Sequence, residues 1–212
     1  MKRSARAILG TVTAVLALAL AGTAGSASAS VIYVDVIPDR VIQDGTFIWD
    51  VDNDGDKDLI LSQTFGCVGN CLTSANASAL SGGIVMATAT DVAPLSAGAL
   101  IGPGSTFGGS GLMALDTFDS NTMQIFSEEG LWDGGLLAFL GFSFTNASGL
   151  HYGWARVKVD DTSNIMTVFD AAYDDAPDAA ILAPAVPEPA AMALLLLGGI
   201  GLAARRVGRH RR

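Results

Sequence analysis

The residues with the strongest chemical signal lie in one short segment of the sequence, 50–58. Five of its nine residues are aspartates, namely Asp50, Asp52, Asp54, Asp56 and Asp58. Carboxylates this close together repel one another unless a cation neutralises them. Oxygen ligands at alternate positions, with Gly55 at position six for a sharp turn, are what Ca²⁺ requires. The segment therefore predicts a Ca²⁺ site, with a solvated acidic turn as the alternative.

The acidic segment resembles the D-x-D-x-D-G-x-x-D loops found between strands in integrin-type propellers and related extracellular modules. The resemblance implies side-chain ligands from Asp50, Asp52, Asp54 and Asp58, and a backbone carbonyl ligand from Asp56. The segment departs from an EF-hand loop, because position twelve is Leu61 rather than glutamate. Mg²⁺ fits less well, since it prefers few protein ligands and many waters. We therefore expect Ca²⁺ in a structural role.

Few other residues suggest catalysis. Glu128 and Glu129 are the only glutamates between residues 30 and 183, and either one with an aspartate could form a glycosidase pair. Adjacent strand residues point to opposite faces, so the two cannot be partners of each other. His151 is the single histidine of the same region, and a packed strand histidine is the commoner interpretation than a general base. The sequence predicts no catalytic residues, and a glycoside hydrolase is the least favoured alternative.

Three aromatic residues are candidates for glycan contact. Tyr152 and Trp154 fall on the same face of a predicted strand because they are two positions apart, and Trp132 could join them. Such rings could stack on sugars, and Tyr152 and Trp154 are the predicted contacts. Aromatic residues on a sheet face are more often part of a core. Core packing therefore remains the alternative.

These residues require short strands to position them. Strands are predicted at 31–37, 46–51, 59–61, 84–90, 135–145, 151–159 and 165–169, from alternating or β-branched residues. Pro38 and Asp39 predict a turn, and 95–111 predicts a long loop. No helical pattern occurs between residues 30 and 183. The sequence predicts an all-β fold, an antiparallel and jelly-roll-like β-sandwich, with a signal peptide before it and a short transmembrane helix after it.

The C-terminal residues form three ordered parts. Val186, Pro187, Glu188 and Pro189 come first, and an apolar run follows at 190–204. An arginine-rich end closes the chain at 205–212. As a helix the apolar run would be about 22 Å long, which is short for a permanent membrane span. Arginine favours the cytoplasmic side of a membrane. The pattern predicts a transient anchor in the inner membrane.

This tail resembles the PEP-CTERM sorting signal of Gram-negative bacteria, with Pro187-Glu188-Pro189 as its signature. The resemblance implies recognition by an exosortase, a membrane-embedded cysteine transpeptidase that cuts near the motif. The order of the acidic segment, the 151–159 strand and the tail also resembles a set of exported PEP-CTERM proteins of unassigned activity. The expected route is an inner-membrane-anchored precursor that reaches the cell surface or the extracellular space.

The N-terminal residues predict export. Lys2, Arg3 and Arg6 form a basic region, 8–21 is apolar, and Ala27-Ser28-Ala29 matches a cleavage site. The expected partners are the secretion translocon and signal peptidase. The predicted organisation is a signal peptide at 1–29, an exported β-sandwich domain at 30–183 and a sorting segment at 184–212.

Cys67 and Cys71 are the only cysteines. In an exported protein such a pair predicts a disulfide. A zinc site would need four ligands, which two cysteines and the distant His151 do not supply. A redox role is weaker still, because the spacing is C-x₃-C rather than C-x-x-C.

The charge of the central region limits its partners. Residues 30–183 contain 20 acidic residues and four lysines or arginines, a formal charge of −16. Such a region repels nucleic acid and attracts divalent cations. Together these features predict a non-enzymatic structural or adhesive protein of the cell surface or extracellular matrix. The alternative is a carbohydrate-binding module for an exopolysaccharide.

Overall fold

The structure, a computed structural model, describes residues 30–184. The predicted signal peptide, the motif at 186–189 and the predicted transmembrane helix lie outside the described residues. Within 30–184 the fold is all-β, as predicted, and no helix there is long and apolar enough to cross a membrane. The strands are β1 (Val31–Ile42), β2 (Gly45–Trp49), β3 (Leu59–Val68), β4 (Asn70–Ala79), β5 (Gly83–Val85), β6 (Pro94–Leu95), β7 (Ala99–Ile101), β8 (Phe107–Gly108), β9 (Ser110–Phe118), β10 (Ile125–Gly130), β11 (Leu137–Asn146), β12 (Gly149–Val159), β13 (Met166–Asp174) and β14 (Ile181–Ala183).

The strands form two large antiparallel sheets and one small one. The larger sheet has seven strands, in the order β1-β13-β12-β11-β5-β8, and β6 also pairs with β11. The second sheet has five strands, in the order β10-β9-β4-β3-β2. The third sheet consists of β14 and β7. The predicted hairpin of 151–159 with 165–169 is confirmed, because β12 pairs antiparallel with β13.

The two large sheets share one buried core. Leu140 and Val157 of the seven-stranded sheet lie in the same cluster as Leu59, Leu61 and Met113 of the five-stranded sheet. Leu59 and Leu61 are two positions apart, as alternate strand residues must be to face the same core. Each such side chain contributes about 1.5–3 kcal/mol by burial. This shared core holds the two sheets together.

A second cluster covers the opposite face of the seven-stranded sheet. It contains Tyr152 and Trp154 of β12, together with Ile101 of β7 and Ile181 of β14. The small sheet thus lies over β12, and both faces of that strand are buried. Trp154 is only 1% exposed and Tyr152 only 4%. A sugar-stacking ring must face solvent, so the structure argues against the predicted glycan contacts and favours the core alternative.

Several strands are longer than predicted or were missed. The segment predicted as a turn at Pro38 and Asp39 belongs to β1, which continues past a register shift between Asp35 and Arg40. β1 lies at the edge of its sheet, where a proline removes no necessary hydrogen bond. The loop predicted at 95–111 contains β7 and β8, and strand 84–90 is reduced to β5. β4, β9 and β10 were not predicted, because their small and polar residues give little alternating apolar signal.

Candidate metal centre

The acidic segment is the loop between β2 and β3, and both of its ends are fixed by the core. Trp49 ends β2 and pairs in register with Leu59, which begins β3. Both side chains are buried. The backbone amide of Asp58 also donates to the carbonyl oxygen of Trp49 at 2.9 Å. The hairpin therefore holds the loop in one place, as the sequence predicted when it put the loop between two strands.

Three of the five predicted acidic residues come together. Carboxylate oxygens of Asp50, Asp52 and Asp58 all lie within 4.8 Å of one another. The structure does not bring the exposed side chains of Asp54 and Asp56 into this group. Asp54 accepts instead from the backbone amide of Asp56 at 2.9 Å. Of the four predicted side-chain ligands, the cluster therefore contains three and leaves out Asp54. The ligand predicted from Asp56 is its backbone carbonyl, which stays a prediction.

The loop's own backbone turns towards the cluster. The amide of Asp54 donates to carboxylate oxygens of Asp50 and Asp52, at 3.1 and 3.2 Å. The amide of Gly55 donates to Asp50 Oδ2 at 3.1 Å. Gly55 has φ of +106°, a conformation that residues with a Cβ rarely adopt. Glycine is therefore required at the turn, as predicted.

Asp58 is the buried member of the cluster, and two hydrogen bonds hold its carboxylate in place. It is 2% exposed, and its Oδ2 accepts from the Val51 amide at 2.8 Å. Its Oδ1 accepts from the Ser81 hydroxyl at 2.9 Å. Burial, and then the charges of Asp52 and Asp50, raise the pKa of Asp58 in spite of these two bonds. The cluster therefore concentrates negative charge that a cation would relieve.

Lys57 is the cation nearest to the cluster in the described chain. Its Nζ lies 3.2 Å from Asp50 Oδ2, and its side chain is half exposed. Burial raises the pKa of Asp50, but the hydrogen bonds from Lys57 and the Gly55 amide outweigh it and hold that pKa below its usual value. Lys57 thus neutralises part of the charge and would compete with a metal ion at Asp50.

The cluster also contacts the other large sheet, which sequence reasoning missed. Asn146, at the end of β11, donates from Nδ2 to Asp52 Oδ2 at 2.8 Å. Its Oδ1 lies 3.1 Å from His151 Nε2. The other ring nitrogen of His151, Nδ1, lies 2.8 Å from the carbonyl oxygen of Asp174, so it carries a proton. The Ser148 hydroxyl lies 2.7 Å from Nε2 and can donate to it. His151 is thus buried with partners at both ring nitrogens, which fits the packed-histidine interpretation.

The donor chemistry of the cluster suits a hard cation. Three carboxylates offer six oxygens, and each oxygen that already accepts one hydrogen bond keeps a further lone pair. Oxygen ligands at these separations match Ca²⁺, which takes six to eight of them in flexible geometry. Asp50, Asp52 and Asp58 would hold the ion. The residues present therefore fit the predicted metal.

The remaining candidate residues are placed as follows. Cys67 and Cys71 form a disulfide and are register partners across the β3–β4 hairpin. Glu128 and Glu129 are consecutive exposed residues of β10, with cross-strand partners Asp116 and Leu115. Trp132 is fully buried and donates from Nε1 to the Val92 carbonyl oxygen at 3.1 Å. Trp132 is therefore part of the core.

A cleft in the described chain lies away from the acidic loop. Its volume is about 560 Å³, and its lining includes Asp44, Gln63, Phe65 and Phe118. The rings of Phe65 and Phe118 stack with centroids 6.1 Å apart, and Phe65 is 51% exposed. This cleft offers an accessible aromatic surface beside polar groups.

Comparisons with known proteins place only the end of the chain. Residues 185–212 match the family model described as the PEP-CTERM protein-sorting motif. No curated protein and no solved structure matches the chain significantly. The motif implies an exported protein, made as a membrane-anchored precursor that an exosortase processes. The match confirms the sorting motif predicted from Pro187-Glu188-Pro189 and the exosortase that it implies. It leaves residues 30–184 outside the matched segment.

Proposed function

Because its C-terminal segment carries an exosortase sorting motif, we propose that this protein is a calcium-stabilised structural or adhesive component of the cell surface or extracellular matrix. The proposal includes no catalytic activity. The observation that carries it is the three-carboxylate cluster of Asp50, Asp52 and Asp58, which fits Ca²⁺ and contacts both large sheets. A protein outside the cell meets millimolar Ca²⁺, at which extracellular modules bind with Kd on the order of 10⁻⁴ to 10⁻³ M.

The cluster's position supports a stabilising role for the ion. Asp50, Asp52 and Asp58 flank strands of the five-stranded sheet, whereas Asn146 ends β11 of the seven-stranded sheet. An ion held by Asp52 would fix the acceptor of the Asn146 side chain. Ca²⁺ would therefore strengthen the link between the two large sheets at this point.

The architecture in this proposal is a jelly-roll-like sandwich of residues 30–183, followed by the sorting segment at 184–212. The shared core of the two antiparallel sheets supports the sandwich. The last described strand, β14, ends at Ala183, which agrees with the proposed end of the domain. A preceding signal peptide at 1–29 belongs to the same proposal.

The proposed absence of catalysis is supported by the state of the candidate residues. His151 has hydrogen-bond partners at both ring nitrogens, the Asp174 carbonyl oxygen and the Ser148 hydroxyl. Asp44 is the only carboxylate among the residues that line the cleft beside Phe65, whereas glycoside hydrolysis uses two. Hydrolysis of a common polysaccharide by the purified chain would contradict the proposal.

The test of the calcium role is thermal unfolding of the full 212-residue chain in detergent, with Ca²⁺, with Mg²⁺ and with chelator. At ten times Kd one site adds about 1.4 kcal/mol of stability, which we expect for Ca²⁺ and not for Mg²⁺. Asp52→Asn with Asp58→Asn should reduce this Ca²⁺-dependent gain. The matched control is Asp56→Asn, in the same loop but outside the cluster, and it should keep the whole gain. An equal gain in both variants would contradict the loop site.

A second candidate function is carbohydrate binding in the cleft. The specific observation is the half-exposed Phe65, stacked on Phe118 beside the polar Gln63. Sugar rings stack on such aromatic faces while polar groups bind their hydroxyls. A glycan array would test this, with Phe65→Ala as the loss-of-binding variant and Phe126→Ala, at an exposed ring outside the cleft, as its control. Binding unaffected by Phe65→Ala would exclude the cleft.

A further inference from the structure

Two acidic residues face each other directly across a strand pair in the five-stranded sheet. Asp116 of β9 is the register partner of Glu128 of β10. Residues directly opposite on antiparallel strands have Cβ atoms about 4.5–5.5 Å apart, and like charges in that position are destabilising. The next pair along, Leu115 with Glu129, points to the other face of the sheet. The sheet thus holds one carboxylate against another at this point.

A third carboxylate reaches the same point through a sharp turn after β10. Gly130 has φ of +96°, and a Cβ there would lie 2.3 Å from the Met113 carbonyl oxygen. Only glycine allows this close approach. The amides of Leu131 and Trp132 both donate to that same oxygen at 3.0 Å. The turn brings Asp133 back, so that oxygens of Asp116, Glu128 and Asp133 lie within 4.8 Å of one another.

Buried oxygens without partners distinguish this group from an ordinary acidic surface. Asp116 is fully buried, and its Oδ1 has no hydrogen-bond partner. Its Oδ2 accepts from Nδ2 of Asn164 at 3.1 Å. Asn164 is also fully buried, and its own Oδ1 has no partner. Buried polar atoms are nearly always satisfied, so two such oxygens at one place point to a missing ligand.

No lysine or arginine of the described residues forms an ion pair with this group. The two ion pairs among the described residues are Lys57 with Asp50 and Arg156 with Asp170, and neither involves the group. Burial raises the pKa of Asp116 to about 6, and the negative charges of Asp133, Glu128 and Asp161 add to that effect. Within the described residues the three carboxylates are thus left without a counter-charge.

We propose that Asp116, Glu128 and Asp133 bind a Ca²⁺ ion, with the amide group of Asn164 beside it. The donors are hard oxygens, and three carboxylates from one side match the ligand number of Ca²⁺ better than that of Mg²⁺, which keeps most of its waters. The ion would cross-link β9, β10 and the turn that follows β10. This site is separate from the acidic loop and does not depend on it.

The test is the number of Ca²⁺ ions bound per chain, measured by equilibrium dialysis of the full chain in detergent with radioactive calcium. Wild type should bind one more ion than the double variant Glu128→Gln with Asp133→Asn. The matched control is Glu129→Gln, the exposed neighbour on the other face, which should bind as many ions as wild type. The loop variant Asp52→Asn with Asp58→Asn should keep the ion held at Asp116.

The outcomes separate this site from the loop site. If the Glu128 and Asp133 double variant binds as much Ca²⁺ as wild type, the proposal is overturned, whatever the loop variant does. The single variant Glu128→Gln repeats the test. Its side chain is exposed, so the substitution should leave the protein folded. It should weaken binding of the same ion at least tenfold, and unchanged binding in that variant would also overturn the proposal.

Discussion

The acidic loop and the Asp116 group are both clusters of three carboxylates, but they are built in opposite ways. The loop takes Asp50, Asp52 and Asp58 from nine consecutive residues, and its own amides and Lys57 satisfy most of their oxygens. The other group takes its carboxylates from two strands and a turn, and one oxygen of Asp116 has no partner. Most carboxylate oxygens of the acidic loop therefore have hydrogen-bond partners without an ion, whereas the Asp116 group keeps a buried oxygen that has none.

This difference teaches that the density of aspartates along a sequence does not show which of them need a counter-ion. A loop can turn its amides towards its own carboxylates, because its backbone is not committed to a sheet. Strand amides are committed to the ladder and cannot turn towards Asp116 or Glu128. An ion should therefore matter more, per carboxylate, on the strands than in the loop.

The largest expected effect on stability is that of replacing Asp58 in the acidic loop. Asp58→Ala should lower the free energy of unfolding by about 3 kcal/mol, because it leaves the buried Val51 amide and the Ser81 hydroxyl without their acceptor. Urea unfolding in chelator measures it. Asp56→Ala, at an exposed position of the same loop, should change stability by less than about 0.5 kcal/mol. Equal losses in the two variants would show that Asp58 is not the anchor.

The second expected effect is a gain in stability, and it comes from replacing Asp116 in the other carboxylate group. In chelator near neutral pH, Asp116→Asn should raise the free energy of unfolding by about 2 kcal/mol, because it removes a buried charge that has too few partners. With saturating Ca²⁺ the variant should gain less stability than wild type does, because it keeps only the loop site. The measurement is urea unfolding in both conditions. A variant that is destabilised equally with and without Ca²⁺ would contradict this interpretation.

A smaller effect concerns the contact between the loop and the other sheet. Asn146→Ala should lower the free energy of unfolding by about 1.5 kcal/mol, because Asp52 loses a donor and the Ser148 amide loses its acceptor. The same urea measurement applies. Asn70→Ala, at an exposed position in β4, is the control and should be nearly neutral. If the two variants behave alike, the Asn146 side chain does not contribute to the contact between the sheets.

The smallest effect tests Lys57 as a competitor of the ion. Lys57→Gln should change the free energy of unfolding by less than about 0.5 kcal/mol in chelator, since its ion pair is exposed to solvent. Its Ca²⁺ affinity at the loop should rise about threefold, because a positive charge near Asp50 is removed. Calcium titrations of Lys57→Gln and of Lys158→Gln, which lies outside the loop, measure this. A lower affinity in Lys57→Gln would contradict the competition.

The sequence predicted the local features of this molecule well and the long-range ones poorly. The loop and its strand neighbours were predictable because Asp50 to Asp58 are adjacent and Gly55 marks the turn. The group at Asp116 depends on the register of β9 with β10, which no short pattern contains. Trp154 looked accessible because its strand alternates, and its burial depends on β7 and β14. The residues of β7 lie in the segment that predicted a loop.

The position of β14 has a consequence for processing of the precursor. Five residue steps separate Ala183, the last residue of β14, from Glu188 of the sorting motif. A chain of that length reaches about 18 Å at most. A membrane-embedded enzyme that recognises the motif must therefore bind it at most about 18 Å from the end of β14. Since the region 30–183 carries 20 acidic and four basic residues, a strongly negative domain would be tethered close to the membrane, and negative charge on the facing surface would repel it.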